Sequence, residues 1–137
     1  MQVSILAVAI ALGLASPAAA QRTELVCTFT QGVITDLDSA PVTEASEDAP
    51  LLLLFRDIDF NAGTARLVGN AVPEGVEVMA VPGVNSFSFI EITPSGSVNT
   101  TSVFPVGAGE PAPAVTSRHV SYGQTPIISQ LCGTCRR

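Results

Sequence analysis

The sequence predicts an all-β fold: a single small antiparallel domain built as an up-and-down, barrel-like meander, with a two-sheet β-sandwich as the alternative. Three observations carry this reading. β-Branched residues recur at short intervals punctuated by Gly and Pro; amphipathic helical spacing is hard to find after residue 20; and the connections between apolar runs are mostly short. With no helices to cover its faces, a sheet of many strands must close or fold over itself, and a run of sequential hairpins favours the barrel-like meander.

Eight segments read as strands: Thr23 to Thr35, Leu51 to Phe60, Thr64 to Gly69, Val76 to Val81, Ser86 to Thr93, Ser97 to Phe104, Val115 to Tyr122 and Pro126 to Cys132. The run Leu51 to Phe55 follows Pro50 and could open a helical turn, but Asp57-Ile58-Asp59-Phe60 alternates as a strand does. In Ser86 to Thr93 the alternation is mixed. Phe87 and Phe89 share one face while Ile90 and Ile92 share the other, so this strand is expected to be buried on both faces or bulged.

Two connections carry explicit turn chemistry. Thr93-Pro94-Ser95-Gly96 places Pro where a turn needs a fixed φ and Gly where it needs a positive one, which predicts a β-hairpin. Asn61-Ala62-Gly63 offers a three-residue hairpin loop with Gly at the left-handed position. An acidic stretch from Asp36 to Pro50 and a Pro/Gly/Ala-rich stretch from Pro105 to Pro113 are expected to be solvent-exposed, mobile loops.

The segment before the domain has a different character. Residues 1–20 carry an apolar run from Val3 to Leu14, then Pro17, and small residues at Ala18 and Ala20, the pattern of a secretory signal peptide cut after Ala20, although no basic residue precedes the run. The run is shorter than the roughly 20 apolar residues that cross a bilayer. Glu24-Leu25-Val26 lacks the small residue expected before a lipid-modified cysteine at Cys27. The expectation is therefore one β-domain over residues 21–137, exported and not inserted in a membrane after cleavage. A lysine-free, alanine-rich composition points to a bacterial source and so to the periplasm or the extracellular space. The net charge of -6 repels phosphate backbones, so no nucleic-acid partner is expected.

An oxidising destination makes the three cysteines the most informative residues. Cys27 lies near one end of the mature chain and Cys132 and Cys135 near the other, which predicts a disulfide joining first and last strands, Cys27 to Cys135, with Cys132 as the alternative partner. Cys132-Gly133-Thr134-Cys135 also has thioredoxin-like C-x-x-C spacing. Only Arg136 and Arg137 follow it, so no helix that would lower a thiol pKa is expected there.

Other chemistry-bearing patterns are incomplete. Asp57-Ile58-Asp59-Phe60-Asn61-Ala62-Gly63 starts like a calcium loop, but its Gly falls one position late and Val68 stands where the bidentate glutamate belongs. His119 is the only histidine, no G-x-S-x-G elbow surrounds a serine, and Gly107-Ala108-Gly109 is not followed by a helix that could hold phosphate. No catalytic residue, cofactor or metal is expected. Asn99-Thr100-Thr101 matches the glycosylation pattern, which matters only in a eukaryotic secretory pathway.

Three classes of function remain. The first is a non-catalytic binding or interaction module for a protein partner, whose mark would be an exposed apolar patch or an open strand edge. The second is a carrier of a small apolar ligand in a barrel cavity lined by Phe29, Leu53, Phe87, Phe89 and Phe104. The third is a thiol-disulfide activity using the C-terminal C-x-x-C.

Overall fold

The structure, a computed structural model, describes residues 23–36, 42–45, 50–69, 72–105, 109–122 and 125–137. The expected signal peptide and most of the acidic stretch lie outside the described residues. Nine strands follow in chain order: β1 (Leu25–Asp36), β2 (Val42–Ala45), β3 (Leu51–Asp59), β4 (Thr64–Gly69), β5 (Val72–Pro82), β6 (Phe87–Ile92), β7 (Val98–Val103), β8 (Ala112–Tyr122) and β9 (Thr125–Arg136). All pairings are antiparallel, each strand from β3 to β8 pairs with the next, and β1 closes the circle by pairing with both β3 and β9. The result is a closed eight-stranded up-and-down barrel, with β2 as an added strand. Closure removes the free edges that an open sheet of this length would expose.

β2 corrects the expectation of an unstructured acidic loop, because Val42–Ala45 pairs with Gln31–Ile34. The reason lies in β1. Its first half, Leu25–Phe29, has β3 on one edge, but β3 does not reach further, and β2 covers the backbone groups of the second half on that same edge. β9 covers the opposite edge from Val26 to Asp36, with a register shift between Phe29 and Gln31. Three strands also extend past their expected limits: β5 begins at Val72, β8 at Ala112, and β9 continues to Arg136. The ladders that pair Ala112 and Cys27 with Cys135 hold Pro113 and Gly133 in strands that local propensity disfavours.

The two turns form as their residues require. Between β6 and β7 the Gly96 N–H donates to the Thr93 carbonyl at 2.8 Å, and Gly96 takes a φ of 84°. Between β3 and β4, Gly63 takes a φ of 72°, and the Asp59 Oδ1 accepts hydrogen bonds from the N–H groups of Asn61 and Ala62, both at 2.9 Å. The second carboxylate of the calcium-like pattern, Asp59, thus serves as an Asx cap of the turn. Asp57, at φ 49°, sits in the bulge where the β3–β4 register shifts.

Alternation sorts the side chains. Leu25, Cys27 and Phe29 on β1, Phe55 on β3, Ala65 on β4, Val78 and Ala80 on β5, Phe89 on β6, Val103 on β7, Ala112 and Ala114 on β8, and Cys135 on β9 form the buried core. On β1 the register against β9 slips by one residue between Phe29 and Gln31, so the inward phase changes from Phe29 to Gly32 and Ile34.

Candidate binding site

The disulfide lies in the core wall. Cys27 and Cys135 are paired residues of β1 and β9, they are bonded to each other, and both are fully buried. Residues three apart on a strand project to opposite faces, so Cys132 points outward, where it is exposed and free. The structure therefore does not bring the two thiols of the C-x-x-C motif together.

Inside the barrel the aromatic rings fill the space. Phe55 and Phe89 stack with centroids 3.9 Å apart and planes 14° from parallel, and Phe87 meets Phe89 edge-on at 5.7 Å. Of the residues expected to line a cavity, Phe29 and Phe89 are fully buried, while Leu53 and Phe87 are half-buried and pack against the core. Phe104, one residue beyond the buried Val103, is 39% exposed and does not join them. Phe55, absent from the expected set, is the ring that stacks on Phe89. Its position in the run Leu51 to Phe55, where every residue is apolar, hid its inward face.

Beside this stack lies a cavity of about 30 Å³, lined on one side by Leu53, Phe55, Leu67, Val78 and Phe89 and on the other by Glu91, Asn99, Thr101, Thr116 and Arg118. The polar side comes from two successive inward rungs. Thr101 and Thr116 face each other across β7 and β8, both buried, with their hydroxyl oxygens 3.0 Å apart in a hydrogen bond. One rung further on, Glu91, Asn99 and Arg118 stand in register across β6, β7 and β8. Asn99 Nδ2 donates to Glu91 Oε2 at 2.7 Å. Asn99 Oδ1 is buried without a hydrogen-bond partner. The asparagine of the glycosylation pattern is therefore turned into the barrel. The inward face of Glu91 was readable from the alternation Phe87, Phe89, Glu91, but nothing local aligns it with Asn99 and Arg118.

Near the disulfide end, Leu25, Phe87, Val103, Ala112 and Cys135 border an open recess of about 240 Å³, with Glu110 and Arg137 at its rim. The Arg137 N–H donates to Glu110 Oε1 at 3.1 Å there.

The outer face of β5, β6 and β7 carries an apolar strip beside Ser88, Thr100 and Ser102. Val81 and Met79 follow each other on β5, Met79 pairs with Ile90, and Ile92 on the same face of β6 pairs with Val98 on β7. Four of the five are exposed, Ile92 the most at 64%. His119, the sole histidine, is exposed on β8 and lines a shallow groove with Val98. Among the described residues no cluster of three or more His, Cys, Asp or Glu could hold a metal ion. No family model, no curated protein and no solved structure matches this chain.

Proposed function

We propose that this chain is an exported, non-catalytic binding module that engages a protein partner through the outer face of β5, β6 and β7. The observation that carries the reading is the contiguous apolar strip Val81, Met79, Ile90, Ile92 and Val98 on a barrel whose core side chains have already been satisfied inside. Contiguous exposed apolar surface of this kind is a feature of interaction sites. The leader pattern and the buried disulfide support export to an oxidising compartment. The filled interior weighs against an enclosed apolar ligand, because about 30 Å³ is room for one or two water-sized groups.

The test is the native size of the exported protein in its host fraction, compared between wild type and a Met79→Glu/Ile92→Glu double variant. The wild type is expected to migrate in a complex larger than one chain. The variant is expected to migrate as the free chain with an unchanged unfolding midpoint. Comigration of the two, or a wild type that is always the free chain, overturns the reading.

A further inference from the structure

We infer that the polar mouth of the barrel, formed by Glu91, Asn99 and Arg118, is a binding site for a small primary carboxamide. The inference is independent of the protein-docking face, which lies on the outside of β5, β6 and β7.

The three side chains carry more hydrogen-bonding capacity than they use on one another. Asn99 uses its Nδ2 on Glu91, but its Oδ1 is a buried acceptor without a partner. A buried carbonyl in that state calls for a donor. Arg118 lines the same cavity with five N–H donors, and none of them is engaged in a hydrogen bond or ion pair among the described residues. Glu91 presents the remaining carboxylate oxygen as a second acceptor. The rung therefore offers acceptors on the Glu91–Asn99 side and donors on the Arg118 side, with roughly 10 Å between the outer two strands.

Three head-group chemistries can be set against this pattern. A carboxylate would meet Arg118 well, but it brings no donor to Asn99 Oδ1 and faces the charge of Glu91. An ammonium group would donate to Asn99 Oδ1 and Glu91, but it faces the charge of Arg118. A primary carboxamide carries donor and acceptor in one planar neutral group: its NH₂ reaches Asn99 Oδ1 and Glu91 while its oxygen accepts from Arg118. About 30 Å³ admits no more than the polar end of the amide, so a bound probe leaves its alkyl chain outside the cavity.

The experiment is an NMR titration of the full mature chain with propionamide, propionate and propylammonium, following the side-chain signals of Asn99 and Arg118 and the amide of Thr101. Propionamide is expected to give saturable shifts at all three positions, with an apparent Kd at least tenfold lower than either charged probe. In a Glu91→Gln variant, which keeps an oxygen for Asn99 Nδ2 and removes the charge, propionate is expected to approach propionamide within about threefold. That gain cannot come from misfolding. An N-acetylglutamine methylamide arm separates sources: tighter binding than propionamide assigns the site to a peptide side chain, and weaker binding to a free amide. The inference is overturned if no probe saturates, if all three bind equally, or if the ranking is unchanged in Glu91→Gln.

Discussion

Cys27 on β1 stands directly opposite Cys135 on β9, and the bond between them crosses the seam where the first and last barrel strands meet. The bridge spans a sequence separation of 108 residues. On the chain-entropy model, closing a loop of that length stabilises the fold by about 4 to 5 kcal/mol. The Cys27→Ala/Cys135→Ala variant is expected to lose most of that in urea unfolding under non-reducing conditions. A loss below about 1 kcal/mol would mean that the ladder hydrogen bonds alone define the seam. Peptide mapping after alkylation should recover Cys132 modified and Cys27 joined to Cys135.

The hydroxyls of Thr101 and Thr116 satisfy each other in a buried rung. Replacing Thr116 alone by Val leaves the Thr101 hydroxyl without its partner, at an expected cost of about 1 to 3 kcal/mol. Replacing both by Val keeps the shape and removes both polar groups, so the double variant should be more stable than the single one. A double variant that loses the sum of the two single losses would refute the pairing.

The placement of the phenylalanines predicts a contrast. Phe55, only 1% exposed and stacked on Phe89, should cost about 3 to 5 kcal/mol when cut to Ala. Phe104, 39% exposed, should cost no more than about 1 kcal/mol for the same change, the scale of a surface substitution. Equal costs in chemical denaturation would contradict the inward and outward assignment.

Gly133 pairs with Phe29 at the β1–β9 seam, and a methyl group built on it would run into the Thr28 carbonyl oxygen and the Phe29 Cα. These are backbone atoms, which have little room to give. Gly133→Ala is expected to destabilise the barrel by about 1 to 3 kcal/mol or more through overpacking. Gly96→Ala, where the β-carbon meets open space, should cost only the strain of its positive φ, about 1 to 2 kcal/mol. A Gly133→Ala protein as stable as wild type would show that the seam is looser than this contact requires.

Much of this architecture was written in local chemistry. Gly, Pro and β-branched spacing mark strands and turns because each acts on its own backbone torsions. That is why Thr64–Gly69 and the Thr93–Gly96 turn are legible without a fold. The pairing of Cys27 with Cys135 followed from their positions near the two ends, but the choice of Cys135 over Cys132 depended on strand phase. Two residues three apart face opposite sides, and only the register against β1 decides which side is the inside.

What the tertiary structure alone decided are the features that exist between strands. The edge of β1 left open beyond Phe29 recruited Val42–Ala45 into a strand that its acidic surroundings concealed. The slip between Phe29 and Gln31 reversed the alternation of β1 midway. Glu91, Asn99 and Arg118, scattered along the sequence, became one rung of a barrel interior. Composition and turn chemistry mark the strands and turns of a meander because they act over a few residues. Register determines which side chains meet inside it, because inter-strand hydrogen bonds join residues whose separation in sequence no local signal records.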